Sequence, residues 1–322
     1  MMRNGLRTAV LGAVLVLATA CGSAGAPVDP APVGDVAPPL PANVGGADNA
    51  GGGGTTDTSC NPLASLRPTS GTSITSGSTM AKIKENGKLV AGVDQTTFLF
   101  GFRNPTSGQL EGFDIDMVNE IAKAIFGSAE GRVQFRAIPS KLREEVLEKK
   151  QVDIVVRTYS ITCSRLKKVN FSTAYYQAGQ RILVESGSKV GQLSDLAGRR
   201  VCATKTSTSL TKIAADPSKP VPVSVDNWSD CLVMLQQKQV EAVSTDDVIL
   251  AGMLAQDPTL KIVGDRFTEE NYGIGIPKEN EDMVRYVNAV LENVRGGAWQ
   301  AIYAKWIGNK LEGGTPPSPV YK

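Results

Sequence analysis

The sequence predicts an α/β protein with two lobes, and its pattern and its length both support this fold class. After residue 80, short β-branched runs alternate with segments of helical periodicity, which is typical of α/β units with mostly parallel sheets. The alternation restarts near residue 200, so the chain contains two successive series of such units. The 322 residues also suit two domains at roughly 150 residues each.

The first series contains one strongly amphipathic segment, at residues 113–126. Asp114 can cap this predicted helix, whose apolar face consists of Ile115, Val118, Ile121, Ala122 and Ile125. The other predicted elements of this series are strands 88–93, 133–137, 152–156 and 181–184 and a helix at 142–147.

The second series follows the same pattern and ends in two consecutive helices. Its predicted strands cover 200–203, 221–225, 241–244, 260–263 and 272–276. Its predicted helices cover 208–214, 228–237, 247–255, 281–294 and 298–306.

The N-terminus has the pattern of an export signal. Arg3 and Arg7 precede an apolar run at 9–20, which is too short to span a membrane comfortably and suits a signal peptide. Small residues then lead into Cys21 and resemble a bacterial lipobox, so we expect a lipid on this cysteine. An ordinary signal peptide with an incidental cysteine is the alternative.

Composition predicts a tether after the signal. Residues 22–58 contain nine Gly and six Pro and few charges, so they cannot bury enough apolar surface to offset the entropy lost on ordering. We therefore divide the chain into a signal peptide, a flexible tether, two lobes and a Pro-rich frayed tail. The signal peptide covers 1–20 and the tether covers 21–79. Lobe 1 covers 80–182 with 274–311, lobe 2 covers 183–273, and the tail covers 312–322.

The charge and the missing residue types exclude several functions. A net charge of +2 argues against nucleic-acid binding, and the absence of His removes the most common general base and most zinc sites. We expect no metal and no cofactor. Catalysis by a carboxylate, Lys or Tyr is not excluded on these grounds.

Five segments of the chain carry a resemblance to a known family, in this order: KLVAGVD, EGFDIDMVNEIA, IVVRTYSITCSRLKKVNFS, VEAVSTDD and YGIGIPKEN. Their order resembles the polar amino-acid family of bacterial extracellular solute-binding proteins. The resemblance covers roughly residues 82–308 and is closest to actinobacterial glutamine/glutamate-binding lipoproteins. It implies a monomeric, two-lobed periplasmic-binding-protein-like (type II) fold that closes on a ligand. Its hinge of two crossover segments is expected near 182–185 and 269–273.

The resemblance also implies a site for the ligand's α-carboxylate. Arg165 occupies the family's clamping position, and the planar guanidinium matches two carboxylate oxygens. Ser160 and Thr158 precede it on the same turn, although the family often has Gly at the position of Thr158. From lobe 2, the helix start at Lys205, Ser207 and Thr208 could hold the same carboxylate. Each residue could instead be a surface or capping residue.

An acidic residue is expected opposite, for the ligand's ammonium. Asp246 aligns with this position, while its neighbour Asp247 is a helix-capping candidate that could take the same role. After the first strand, Asp94, Phe98 and Phe100 match the family's acidic residue and aromatic wall. Whether Thr97 or Phe98 faces the ligand depends on a shift of one residue in the register. The aromatic residues here could equally belong to the core.

Further cations favour an acidic ligand. Arg143 and Arg157, with Arg103, lie near the predicted pocket, and a buried side-chain carboxylate needs such a partner. Glutamate or aspartate is therefore favoured, and glutamine or asparagine is possible. The alternative is that each of these arginines is a solvated surface charge.

If Cys21 carries lipid, four cysteines remain in an oxidising compartment. Cys202 and Cys231 belong to one lobe, so we predict the pairs Cys202–Cys231 and Cys60–Cys163. Three pairings are possible for four cysteines, and unpaired buried thiols are the alternative.

The resulting hypothesis is a receptor without catalytic residues, anchored by lipid to the extracytoplasmic face of the bacterial membrane. It would capture an amino acid and present it to an integral membrane permease of an ABC importer. A sensor subunit of a transmembrane signalling receptor is the alternative. A dehydratase or lyase on the same fold is a third reading, against which the pairing of Arg165 with Asp246 argues.

Overall fold

The computed structural model describes residues 38–50, 57, 60–308, 310–311 and 314–322. The predicted signal peptide, the lipidation site at Cys21 and the first part of the tether lie outside these residues. In the described part, no helix combines the length and apolar character needed to cross a membrane.

The strands are β1 Ala64–Ser65, β2 Leu89–Val93, β3 Thr96–Thr97, β4 Gly101–Arg103, β5 Leu110–Glu111, β6 Val133–Ala137, β7 Ile154–Val155, β8 Asn170–Phe171, β9 Tyr176–Ala178, β10 Gln180–Glu185, β11 Arg200–Thr204, β12 Val221–Val225, β13 Ala242–Asp246, β14 Leu260–Val263, β15 Glu270–Tyr272, β16 Gly275–Ile276 and β17 Val320–Tyr321. The α-helices are α1 Thr79–Glu85, α2 Phe113–Phe126, α3 Arg143–Glu148, α4 Cys163–Leu166, α5 Thr208–Ala214, α6 Trp228–Gln236, α7 Asp247–Gln256, α8 Glu281–Arg295 and α9 Ala298–Trp306.

Two five-stranded sheets form the centres of two lobes. The sheet of lobe 1 has the order β6-β2-β7-β16-β8, and the sheet of lobe 2 has the order β12-β11-β13-β10-β14. Helices α5, α6 and α7 pack on the lobe 2 sheet, whereas α2 packs on β2 and on α8 and α9 in lobe 1. The predicted α/β class is confirmed.

The sheets are mixed rather than mostly parallel, which corrects the expectation. In lobe 1, β2 pairs in parallel with β6 and β7, but β16 is antiparallel to both of its neighbours. In lobe 2, β10 is likewise antiparallel to β13 and β14. Both exceptional strands arrive from the other lobe, so no helical crossover within one lobe forces them to be parallel.

The hinge consists of β9 and β15, which pair antiparallel as a separate two-stranded ribbon. The second expected crossing, near 269–273, coincides with β15. The first expected crossing, at 182–185, is wrong because these residues lie inside β10, in the lobe 2 sheet. The chain enters lobe 2 at Gly179, between β9 and β10. The boundary between the lobes, expected at 182/183, therefore lies a few residues earlier in the sequence.

Helix α2 has the predicted bounds, and its predicted apolar face is buried. The N-cap of α2 is Gly112 rather than Asp114. Gly112 has φ +133° and lies in close contact with the backbone of Phe100. A Cβ atom at Gly112 would lie 2.2 Å from the Phe100 carbonyl oxygen, so only glycine fits there. Asp114 is buried and accepts hydrogen bonds from Thr158 N–H and Tyr175 O–H.

Parts of the expected tether and tail are packed against the lobes, which corrects the prediction for these residues. Gly45 exchanges two backbone hydrogen bonds with Ser224 on β12, the edge strand of lobe 2. At lobe 1, β1 pairs in parallel with β17, so the C-terminal residues do not fray. We call residues 39–66 the leader and the β1–β17 pair the clasp.

Both predicted disulfides are present. Cys202–Cys231 joins β11 to α6 with a Cα–Cα distance of 5.5 Å. Cys60–Cys163 joins the leader to α4 with a Cα–Cα distance of 5.7 Å. The leader is therefore covalently fixed to lobe 1, two residues before Arg165.

Candidate functional site

Arg165 lies at the junction of the two lobes, on the short helix α4 that Thr162 caps. It is 1% exposed, and its guanidinium donates to the Ser160 carbonyl at 2.7 Å and to the Thr206 carbonyl of lobe 2 at 3.0 Å. Its Nε atom has no hydrogen-bond partner, and the nearest carboxylate oxygen, on Glu144, is 3.7 Å away. The charge is thus held mainly by neutral carbonyl groups, as in a site prepared for an anion.

Arg143 is a second buried cation beside the first. Its guanidinium lies 4.4 Å from the centre of the Tyr159 ring, and that of Arg165 lies 5.0 Å from the same centre. It donates to the carbonyl groups of Ser140 and Thr158, but Nη2 has no partner. Burial lowers the pKa of Arg143 to about 9.

Two other predicted ligand residues neutralise each other. Arg157 and Asp94 form a buried ion pair at 2.8 Å. Asp94 also accepts from the Thr97 hydroxyl and from two backbone N–H groups, while Arg157 donates to Ile138 O and Ser140 Oγ. Asp94 thus holds the turn after β2 and Arg157 the turn after β6, so the structure does not support a ligand role for either.

The turn between β7 and α4 positions the arginines. Thr158 has φ +38°, in the left-handed region that favours glycine. Its carbonyl accepts from Arg143, and the Ser160 carbonyl accepts from Arg165. The backbone of both residues therefore holds the cations.

Asp246 and Glu270 form the acidic side of the site, and both are buried. Asp246 ends β13; its Oδ2 accepts from the Tyr272 hydroxyl and its Oδ1 has no partner. Glu270 begins the hinge strand β15; its Oε2 accepts from the Thr208 hydroxyl at 2.9 Å and its Oε1 has no partner. Burial, followed by the negative charge of Glu270, raises the pKa of Asp246 well above its usual value.

Glu270 was not among the predicted residues. The sequence signal that could have indicated Glu270 is its position two residues before Tyr272. This spacing places both side chains on one face of the hinge strand. Asp247, the alternative to Asp246, pairs with Arg266 at 2.5 Å and accepts from Val248 N–H. Its carboxylate is thus occupied, whereas Asp246 keeps one oxygen without a partner.

At the start of α5, the side chains of the three predicted residues bind protein groups. The Ser207 hydroxyl caps α5 by accepting from Leu210 N–H and donates to the Thr204 carbonyl. Lys205 donates to the Asn43 carbonyl and lies 3.3 Å from Asp226, on the leader side. The Thr208 hydroxyl is bound to Glu270. The side-chain groups of Lys205, Ser207 and Thr208 therefore all have protein partners.

The two phenylalanines predicted for the aromatic wall, Phe98 and Phe100, have different surroundings. Phe98 packs on Phe102, and its carbonyl lies against α7, where a Cβ atom at Gly252 would come within 2.3 Å of it. Phe100, rather than Phe98, packs edge-on against Tyr272, which binds Asp246. Phe98 is therefore a lobe–lobe contact, and Phe100 supports the acidic side.

The described residues include no cluster of three or more His, Cys, Asp or Glu side chains suited to a metal ion. Cavities of about 660 Å³ and 610 Å³ lie elsewhere, beside Arg266 and on lobe 2 near Lys189. The charged groups at the lobe junction instead pack closely against one another. This arrangement is a closed cleft with buried polar atoms of both signs left unpaired.

Comparison with known proteins supports this interpretation of the fold. Residues 89–309 match bacterial extracellular solute-binding proteins, family 3. The ABC transporter glutamine-binding protein GlnH of Bacillus subtilis is 39% identical over 71% of this chain and 84% of its own length. The glutamate-binding protein GluB of Corynebacterium glutamicum is 30% identical over 72% of this chain and 83% of its own length.

A solved structure of an ancestral arginine-binding protein bound to glutamine is 34% identical, with a TM-score of 0.63, over 69% of this chain and 99% of that chain. The receptor for L-cysteine of Neisseria gonorrhoeae, 21% identical with a TM-score of 0.69, shares the fold. The two-lobed type II fold is thus confirmed. The relatives at 30% identity or more are named as binding proteins, which supports the expectation that the chain is not an enzyme. The chain belongs to the bacterial extracellular solute-binding proteins, family 3.

Proposed function

We propose that this protein is an extracytoplasmic receptor that binds a polar amino acid between its lobes and presents it to a membrane ABC importer. The observation that carries the proposal is the set of buried charged atoms without partners at the lobe junction: Arg143 Nη2, Arg165 Nε, Asp246 Oδ1 and Glu270 Oε1. An unpaired buried charge is costly, so a ligand that pairs with both signs is strongly favoured.

An amino acid has complementary groups for each side of this site. Arg165 would bind the α-carboxylate in place of the Thr206 carbonyl, through the planar fork of its guanidinium. Asp246 and Glu270 would bind the α-ammonium. Because these groups come from lobe 1, lobe 2 and the hinge, a bound ligand would stabilise the closed arrangement.

We further propose that the ligand is an acidic amino acid, glutamate or aspartate. Arg143 is a second buried cation with a spare donor, and no carboxylate of the described residues lies within hydrogen-bond distance of its guanidinium. A side-chain carboxylate would satisfy it. Glutamine and asparagine are the competing ligands, since one similar protein is named for glutamine and another for glutamate.

Calorimetric titration with glutamate, aspartate, glutamine and asparagine tests these proposals. We expect Arg165→Ala to weaken binding at least about thirtyfold for all four, because it leaves a buried carboxylate unpaired. We expect Arg143→Met to lower the preference for glutamate over glutamine about tenfold, whereas Arg136→Met, at an exposed residue of β6, leaves it unchanged.

Each outcome has a separate meaning. Absence of binding by every amino acid contradicts the receptor proposal. Full affinity of the Arg165→Ala protein contradicts the assignment of the α-carboxylate. A glutamine preference that Arg143→Met does not alter contradicts the acidic ligand class alone.

We also propose export by the signal peptide, lipid attachment at Cys21 and a monomeric state. The sequence pattern supports the first two of these.

A further inference from the structure

Asp226 lies where three separate parts of the chain meet. It follows β12 on lobe 2, and its carboxylate accepts from Lys141 Nζ of lobe 1 at 2.9 and 3.0 Å. The leader contributes Asn43 Nδ2 at 3.1 Å, and Lys205 of lobe 2 lies 3.3 Å away. One carboxylate thus joins lobe 1, lobe 2 and the leader.

The leader connects the two lobes by a route that does not pass through the hinge. On lobe 2, Gly45 pairs with Ser224, and the Asn49 carbonyl accepts from Thr206 N–H at 2.9 Å. On lobe 1, Cys60 is bonded to Cys163. The described residues of the leader are thus attached to both lobes.

The same residues adjoin the proposed ligand site. Thr206 accepts a hydrogen bond from Arg165 through its carbonyl while its N–H donates to the leader. Beside it, the hydroxyls of Ser140 and Thr204 meet across the lobes at 3.1 Å. Separating the lobes would break these contacts and the Lys141–Asp226 pair together.

We propose that Lys141, Asp226 and Asn43 form a latch that closes the mouth of the cleft, with leader residues 43–49 as a strap that holds Asn43 on lobe 2. The latch exists only when the lobes are closed, so it adds to the stability of that state without touching the ligand. It rests on the proposed closure of the lobes over a ligand. Asp226 is a positioning residue for closure and not a ligand-binding residue.

A matched pair of variants tests the latch. Lys141→Met removes a lysine–carboxylate pair that crosses the lobes, and Lys149→Met removes a pair with Glu145 inside α3 and its C-cap. We expect Lys141→Met to raise the Kd for glutamate about two- to fivefold in low salt, and Lys149→Met to leave it unchanged. In about 1 M NaCl the difference should disappear, because salt screens the pair.

A second matched pair tests the strap. A Cβ atom at Gly45 would lie 2.3 Å from Asn49 Nδ2 and 3.0 Å from Ser224 Oγ, whereas one at Gly46 meets only Asp48 Oδ1, at 3.5 Å. We therefore expect Gly45→Val to detach the leader from β12 and Gly46→Val to leave it in place.

Spin-label distances between Lys123→Cys on lobe 1 and Val233→Cys on lobe 2 measure opening directly, with or without ligand. We expect Lys141→Met and Gly45→Val to lengthen the mean distance in ligand-free protein, and their two controls to leave it unchanged. Equal distances and equal Kd values for Lys141→Met and Lys149→Met overturn the latch, as does an effect that persists in high salt. Equal results for Gly45→Val and Gly46→Val overturn the strap. Because the distances need no ligand, they test the latch even if no amino acid binds.

Discussion

Asp114 lies beneath the turn that carries Thr158, and each of its carboxylate oxygens accepts a hydrogen bond. Burial outweighs these hydrogen bonds and raises the pKa of Asp114 from 3.8 to about 7. The chain has no His, so this carboxyl is a group that titrates near neutral pH in the described part of the protein. Its protonation therefore affects the part of the fold that holds the arginines.

We expect Asp114 to make the protein less stable as pH rises from about 4 to about 7. In this window the unfolded chain has released the proton and the folded protein retains it, so the free energy of unfolding falls by about 1.4 kcal/mol per pH unit. Above about 7 both states are ionised and this dependence ends. Urea unfolding at several pH values should show this slope in the natural protein and lose it in Asp114→Asn. Identical slopes in the two proteins would contradict the assignment.

Single residues also show what the sequence could predict about the site. The motif placed Arg165 and Asp246 correctly on the elements that meet at the lobe junction. It could not show that Asp94 and Arg157 neutralise each other, or that Lys205 turns to the leader, because a pattern locates a residue on a turn without revealing which partner its side chain finds. Glu270 was missed for a similar reason, since its burial follows from how the hinge packs.

At the scale of elements, periodicity predicted what is long and locally determined. Helix α2 and strand β6 have their predicted bounds. The segment 272–276, expected as one strand, instead divides between the hinge ribbon and the lobe 1 sheet. Between them, a Cβ atom at Gly273 would lie 2.7 Å from Ile161, so the chain passes too close to its neighbour for a larger residue. The clasp strands are two residues each, and no local sequence pattern predicts strand pairs as short as these.

The clasp yields a test of its own. Tyr321 donates to Glu292 at 2.6 Å, and the Arg67 guanidinium lies 4.7 Å from its ring centre. We expect Tyr321→Ala to lower the free energy of unfolding by about 1–2 kcal/mol, because it removes both contacts. Val320→Ala, at an exposed neighbour, should change it by less than about 0.5 kcal/mol. If Tyr321→Ala also changes it by less than about 0.5 kcal/mol in urea unfolding, the clasp adds little stability.

At the scale of the whole molecule, the restart of the strand–helix alternation correctly indicated two lobes. The expected parallel sheets failed because β10 and β16 enter their sheets from the opposite lobe. The leader was misjudged because its composition indicates low burial in isolation. It does not reveal that the β12 edge and Cys163 provide partners for it.

The proposed membrane attachment can be tested in cells. We expect the protein to incorporate a radiolabelled fatty acid and to fractionate with membranes. Cys21→Ser should abolish both, while Cys202→Ser, which affects only the lobe 2 bridge, should not prevent labelling. Labelling of the Cys21→Ser protein would contradict this attachment site.

The clasp also changes which stretch of chain must be kept for the domain to fold. The family match spans 89–309, yet Ser65 donates to Phe171 O, and Asn288 donates to Ser65 and to the Leu66 carbonyl. At the other end, Lys322 N–H donates to the Ser65 carbonyl. A chain trimmed to the family limits would thus expose the partners of both strands. For recombinant production, the shortest stable product should begin before Cys60 and end no earlier than Lys322, with any purification tag separated from Lys322 by a spacer.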